Sequence, residues 1–348
     1  MGVLYVTSLH KGDGKTAFCT GLAYLLKQKG QHATLFKPLG IASPINHTLE
    51  DADAIFFTHL QGTSPSEDWP IVLTSQEYQE GLQPETRRRV LKAYNQQTAQ
   101  STAVIVEGPP LTNFDSRHTT MASELSEALG AKVVLLVGYT PKLTAQEIMD
   151  ASKALGDCLT GIVINGVLRY QSHHAQESLV AQLEEHGVPI LGILPEERCL
   201  LGVTVGDLAR HIDGEFLAWE SKRDQLVDHI LIGGMVLDSG IHYFARSNTK
   251  AVLVRGDRPD IQMAALSTPT RCLVLTGGHQ PIQYVEYEAK EEDVPVILVQ
   301  TDTLTTAKAL DSLFDGATIH HQAKVECFAN LLMEGVNMEV IFSALESK

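Results

Sequence analysis

Short apolar, β-branched runs alternate with longer amphipathic stretches over the first two-thirds of the chain. Residues 3–7, 34–37, 103–107, 132–137, 161–165 and 189–194 predict strands, and 16–27, 88–100, 145–154 and 178–185 predict helices between them. The strand segments are near-continuous apolar runs and not alternating ones. Strands have this composition when helices cover both faces of a parallel sheet. The expected class is therefore α/β, a doubly wound and mostly parallel sheet.

The pattern lapses over 211–225, a polar and charge-rich stretch, and a domain boundary is expected there. A second, shorter series follows, with strands predicted at 228–232, 251–255, 271–276 and 294–299 and helices at 261–266 and 303–313. It reads as a smaller α/β unit of about 100 residues, an ordinary domain size. The tail from Val325 reads as helical and is compatible with packing on either domain. The domains expected are thus 1–212, 213–324 and a helical tail at 325–348. The uncharged run 230–237 suits a buried core or a partner face.

Charge narrows the partners. Lys plus Arg is 27 and Asp plus Glu is 42 in 348 residues, a formal net charge of −15. Nucleic acid and anionic membranes repel such a chain, so neither is expected as a partner. A site for a polyanion must then be locally basic or be built from backbone N–H groups. Five scattered cysteines without a C-x-x-C pair argue against a disulfide framework or a zinc site and for a reduced, cytoplasmic setting. No signal segment opens the sequence, and no apolar run nears the ~18 residues of a membrane span. The adjacent pairs His173-His174 and His320-His321 lack the spacing of ligands on one helix face and read as surface residues. Arg87-Arg88-Arg89 opens a predicted helix and reads as a solvated face.

The chemistry concentrates after the first strand. Ser8-Leu9-His10-Lys11-Gly12-Asp13-Gly14-Lys15-Thr16 joins that strand to a helix. Glycines let backbone N–H groups curl around phosphate oxygens, and the helix N-terminus adds partial positive charge. Lys15 would reach the β- and γ-phosphates and the Thr16 hydroxyl would ligate Mg²⁺. The cofactor-binding stretch expected is Lys11, Gly12, Asp13, Gly14, Lys15, Thr16 and Ala17. The strict G-x-x-x-x-G-K-[ST] pattern fails at one position, where Leu9 stands for its first glycine. Lys11 lies one residue from the signature lysine of partition-type ATPases. It is either an extra positive charge near phosphate or a solvated lysine.

Further motifs follow in order: Phe36-Lys37-Pro38, Glu50-Asp51-Ala52-Asp53-Ala54, Val104-Ile105-Val106-Glu107-Gly108, Val163-Ile164-Asn165 and Leu191-Gly192-Ile193-Leu194-Pro195. In that order and spacing, residues 1 to about 200 resemble dethiobiotin synthetase. They are more similar still to the synthetase-like region of long phosphate acetyltransferases. Gly256-Asp257-Arg258 and Thr276-Gly277-Gly278 resemble the DRTGG domain that follows that region in the same acetyltransferases. The resemblance implies that Asp53 and Glu107 join Thr16 around Mg²⁺, with Asp51 a bystander. It implies that Lys37 faces a carboxylating substrate, with Lys15 and Lys37 as the catalytic pair. It also implies that Asn165, with Leu194 and Pro195, forms the base-binding edge. The Gly-Asp-Arg and Thr-Gly-Gly loops read equally as a ligand-facing edge and as structural caps.

This chain departs from the synthetase on the substrate side. Leu9-His10-Lys11 replaces Thr-Asp-Thr, Leu39-Gly40-Ile41 replaces a hydroxyl-rich run, and Pro109-Pro110 replaces a Gly-rich turn. The expected function is a Mg-ATP-binding sensor or regulatory protein, with slow ATP hydrolysis compatible with it and a homodimer expected through the second domain. An ATP-dependent carboxylase or amide-forming ligase, of the dethiobiotin synthetase or cobyrinic acid a,c-diamide synthase type, is the alternative. Acetyl transfer by this chain alone is not expected, because in the resembled acetyltransferases it belongs to a further domain.

Overall fold

The computed structural model describes residues 2–41, 51–63, 71–73, 81–99, 101–111, 116–171, 175–234 and 237–346. Glu50, Gln100, the His173-His174 pair and Met235-Val236 of the uncharged run lie outside the described residues. The chain folds as two compact units, one of Met1–Glu196 with Ile319–Lys348 and one of Glu197–Thr318.

In the first unit the strands are β1 (Gly2–Ser8), β2 (Ala33–Phe36), β3 (Leu39–Ile41), β4 (Ile71–Leu73), β5 (Ala103–Glu107), β6 (Lys132–Gly138), β7 (Leu159–Val167) and β8 (Ile190–Pro195). Six of them form a parallel sheet in the order β2-β5-β1-β6-β7-β8, while β3 and β4 pair separately. Every residue of β1 and β5 is buried, as the continuous apolar runs require of strands covered on both faces. The helices are α1 (Lys15–Gln28), α2 (Ala52–Gln61), α3 (Pro84–Thr98), α4 (Ser116–Ala128), α5 (Ala145–Leu155) and α6 (Ala181–Glu185). The chain builds outward from β1 to β2 and returns at β5. It then crosses to β6 on the other side of β1. This reversal leaves a crevice at the carboxyl ends of the central strands, where ligands bind in such sheets.

The second unit contains β9 (Val203–Thr204), β10 (Glu215–Ala218), β11 (Leu226–Val227), β12 (His229–Ile232), β13 (Lys250–Arg255), β14 (Thr270–Thr276) and β15 (Val296–Leu298). Its helices are α7 (Arg198–Leu201), α8 (Val205–His211), α9 (Leu237–Phe244), α10 (Pro259–Leu266), α11 (Gln283–Glu291) and α12 (Thr303–Leu310). The main sheet runs β10-β15-β14-β13-β12, parallel except for β10, and carries an apolar core on each face.

Two expectations change. The polar stretch at 211–225 is not a linker, because it contains β10, the antiparallel edge of the second sheet. An edge strand is half exposed and needs no apolar run, so its sequence looks like a loop. Residues 197–212 also fold with the second unit, where Val203, Val205, Leu208, Ala209 and Ile212 join Val227, Ala251 and Leu253 in one core. Smaller shifts follow from local chemistry. Pro84 at the first helical position starts α3 earlier than expected, so Arg87, Arg88 and Arg89 lie inside it, exposed. Cys19, Cys158 and Cys272 are free.

The tail belongs to the first unit. Its helices α13 (Gln322–Gly335) and α14 (Met338–Glu346) complete that unit's core. Glycines permit the approach. A Cβ at Gly21 of α1 would lie 3.1 Å from the Phe328 ring, and one at Gly192 of β8 would lie 2.0 Å from the Gly335 carbonyl oxygen. Phe328 and Leu332 are buried there, each contributing about 1.5–3 kcal/mol. Gly192→Ala should therefore destabilise the protein by about 1–3 kcal/mol, the usual cost of overpacking a fixed core. Gly316→Ala, whose Cβ would meet nothing within 4 Å, should change stability by less than about 0.5 kcal/mol. Urea melts of the two variants check this, and equal midpoints would refute the close seat of the tail.

Candidate functional site

The loop after β1 carries two glycines in the left-handed region, Gly12 at φ 91° and Gly14 at φ 97°. Gly14 is the N-cap of α1, and no side chain caps that helix. Its first N–H groups are thus left to an anionic ligand, with the helix dipole behind them. A side chain on Gly14 would strike the Asn165 amide at 2.4 Å, and one on Gly138 would strike Asp13 at 2.5 Å. The loop is fixed from within. The His10 N–H donates to Asp13 Oδ2 at 2.7 Å, the Ser8 hydroxyl donates to the His10 carbonyl at 2.6 Å, and Asn165 Nδ2 donates to the Asp13 carbonyl at 3.0 Å. Leu9 is buried and its N–H donates to the Leu136 carbonyl at 2.9 Å. It anchors the loop to β6 where the strict motif has glycine.

Parallel register assembles the rest. Val6 pairs with Glu107 and Phe36 with Val106, so Ser8, Lys37 and Glu107 all emerge at the carboxyl edge. Lys15 Nζ donates to Ser8 Oγ at 2.9 Å. Burial lowers the pKa of Lys15, with Glu107 and Asp13 opposing. The Thr16 hydroxyl donates to Glu107 Oε1 at 3.3 Å. Lys37 Nζ lies 2.9 Å from Asp51 Oδ1, 2.5 Å from Asp53 Oδ2 and 3.5 Å from Glu107 Oε1. Burial opposes the Lys37 charge, yet the three carboxylates outweigh it and hold its pKa well above the usual lysine range. Asp51 caps α2 by accepting from the N–H groups of Asp53 and Ala54 while it pairs with Lys37.

One more residue enters. His320 Nε2 lies 2.8 Å from Asp53 Oδ1, and its ring centroid is 4.9 Å from that of Phe56. His320 is therefore not the surface residue that its sequence context predicts. Nothing near it in sequence signals a partner 267 positions away. Burial works against the Asp53 charge, but hydrogen bonds from His320 and Lys37 hold its pKa well below the usual carboxylate range.

A cavity of about 590 Å³ opens beside the loop, lined among others by Gly12, Asp13, Tyr139, Lys142, Glu147 and Asn165. Lys11 also lines it and is exposed. Ala17 sits half-buried in the first turn of α1. Leu194 does not line this cavity; it is fully buried, and a Cβ at Gly335 would lie 3.0 Å from its Cδ2. Pro195 ends β8 opposite Val167.

The residues fit a magnesium ion. Glu107 is 3% exposed, its Oε2 has no hydrogen-bond partner, and burial raises its pKa, with Lys37 opposing. A buried, unpaired carboxylate oxygen is costly, and a cation would satisfy it. Among the described residues no three His, Cys, Asp or Glu side chains converge as a cation cage. Mg²⁺ needs none, because it keeps waters and phosphate oxygens and takes only one or two carboxylates.

In the second unit the two motif loops adjoin: the Gly256 N–H donates to the Thr276 carbonyl at 3.0 Å, and a Cβ at Gly256 would lie 2.2 Å from the His279 carbonyl. Gly277 and Gly278 have φ of 83° and 69°. Asp257 pairs with Arg255, and Arg258 clasps Asp260 in the first turn of α10 through two bonds of 2.9 and 2.8 Å. Both are ion pairs between residues two apart.

Fold and site together define a P-loop α/β domain with a nucleotide-type phosphate cradle, followed by a smaller α/β domain. The comparisons agree. The chain belongs to the family described as "AAA domain", whose profile matches residues 3–203, and the profile described as "DRTGG domain" matches 207–313. It is 22% identical to the phosphate acetyltransferase of Salmonella typhimurium over 95% of this chain and 51% of that protein. It is 21% identical to the ATP-dependent dethiobiotin synthetase BioD of Bacillus thuringiensis over 56% of this chain and 84% of that protein. The chain thus spans about half the length of the acetyltransferase it matches. A solved structure of the CBS and DRTGG domains of the regulatory region of Clostridium perfringens pyrophosphatase, complexed with the activator diadenosine tetraphosphate, aligns with 38% of this chain. Its TM-score is 0.29 at 16% identity.

Two titrations separate the carboxylates. The raised pKa of Glu107 means that its ionised form costs stability above the unfolded pKa of about 4.3. Glu107→Gln should keep or raise the melting temperature at pH 7, and a fall beyond about 4 °C, roughly 1 kcal/mol, would contradict it. The depressed pKa of Asp53 stabilises the fold above the unfolded pKa of about 3.9, and that contribution is lost as pH falls through the folded value. The melting-temperature gap between wild type and Asp53→Asn should therefore be full at pH 7 and shrink below about pH 4.

Proposed function

We propose that the chain is a Mg-ATP-binding sensor or regulatory protein, with at most slow hydrolysis of the bound nucleotide. The observation that carries this reading is the state of Lys37. The phosphate side retains Gly12, Gly14, Lys15, Thr16 and Glu107 in working order, whereas Lys37 is neutralised by Asp51, Asp53 and Glu107. An ammonium held by three carboxylates has a raised pKa and no electrostatic need for a substrate anion, which disfavours a carboxylase role.

In this reading the N–H groups of the loop and of the first turn of α1 bind the phosphates, and Lys15 adds a charge-assisted bond to the terminal ones. Thr16 and Glu107 would hold Mg²⁺, with Asp53 beside them. The ion, when bound, would neutralise charge between the β- and γ-phosphates. The cavity lined by Tyr139, Glu147 and Asn165 would take the nucleoside, where the Asn165 amide has both donor and acceptor groups. The DRTGG unit is the receiver or self-association element. Its exposed Ile282, Tyr284 and Tyr287 supply an apolar surface at the start of α11 and just before it.

Calorimetric titration of MgATP should show Lys15→Ala weakened about 10- to 100-fold, the loss of one hydrogen bond to a charged group. Equal affinities would remove the nucleotide assignment. Phosphate release from MgATP should be slow and unchanged by bicarbonate, small carboxylates or amines. Stimulation by any of these would favour the ligase reading.

A further inference from the structure

We propose that His320 is a positioning residue of the nucleotide site, acting through Asp53; this rests on the MgATP reading above. The segment that follows the DRTGG unit would thus complete the magnesium side of the site, otherwise built from Thr16, Lys37, Asp53 and Glu107.

Helix α13 packs Phe328, Ala329 and Leu332 against Gly21 of α1, the helix whose N-terminus bears Lys15 and Thr16. Its N-cap is His321, so His320 is fixed at the head of a helix that is itself fixed to α1. The His320 ring rests on Phe56, one turn along α2 from Asp53, which sets its plane as well as its place.

Asp53 needs such support. It lies in the first turn of α2 and its side chain is 31% exposed, so packing alone does not fix its carboxylate. Two donors do: Lys37 Nζ on Oδ2 at 2.5 Å and His320 Nε2 on Oδ1 at 2.8 Å. One donor on each oxygen locks the carboxylate plane and leaves further lone pairs on both oxygens for a cation or its waters. Carboxylates that serve metal ions are commonly oriented by such outer hydrogen bonds, and removing one costs roughly 10- to 100-fold in metal affinity. Donors from the end of β2 and from the head of α13 thus converge on one carboxylate at the start of α2.

The test measures ATP affinity by calorimetry in excess Mg²⁺ and again in EDTA, for wild type, His320→Ala and His320→Gln. The ratio of the two affinities isolates the metal-dependent part, while the EDTA value reports the cradle alone. His320→Ala should lower the ratio about tenfold and leave the EDTA affinity unchanged. His320→Gln, whose amide still donates, should recover much of the ratio. In an Asp53→Asn background His320→Ala should add no further loss, because residues acting as one unit are not additive. A ratio in His320→Ala equal to wild type overturns the proposal. A higher ratio overturns it too, since His320 would then compete with the cation. Wild type that binds no MgATP refutes the nucleotide reading itself, a distinct outcome.

Discussion

The ammonium of Lys37 lies among Asp51, Asp53 and Glu107, and the geometry of the site follows from that one cluster. Three carboxylates gathered at a strand edge would repel one another and resist burial. A lysine 12% exposed, within 3.5 Å of all three, makes the gathering stable. It ties the end of β2 to the start of α2 and to the end of β5. The cluster also leaves Glu107 with Oε1 facing Lys37 and accepting from the Thr16 hydroxyl, and with Oε2 unpaired. The same attraction that allows the acidic site to exist also neutralises Lys37.

Around the cluster the parallel sheet does the aligning. Strand register brings the ends of β1, β2 and β5 level, and the loop glycines let backbone pass where side chains would collide with Asn165 and Asp13. Loss of the motif's first glycine is tolerated because Leu9 points into the core and bonds to β6, so the loop is anchored there instead of being freely curled. The tail then closes the unit from the other side. It fills the groove beside α1 and β8 through glycine-mediated contacts, so residues at both ends of the sequence share one core.

The second unit follows another economy. Its motif charges, Asp257 and Arg258, are spent on Arg255 and Asp260, and its glycines serve close approach between neighbouring loops. Apolar side chains near α11 remain exposed.

Local physics made much of this legible in the sequence. Continuous apolar runs mark strands buried on both faces, and Gly12, Gly14, Lys15 and Thr16 announce the cradle because backbone conformation and helix polarity are properties of adjacent residues. The edge strand β10 was hidden, since a half-exposed strand carries no apolar run. Partnerships across long separations were hidden as well. Lys37 meets Glu107 across 70 residues and His320 meets Asp53 across 267, and no sequence pattern encodes such pairs because they form only when the sheet and the returning helix fix their distances. The sequence by itself determined the class, the two-domain order and the phosphate loop. The tertiary structure decided which charges face one another, and hence that Lys37 lies among three carboxylates, that Asp51 caps α2 and that a histidine from the tail bonds to Asp53.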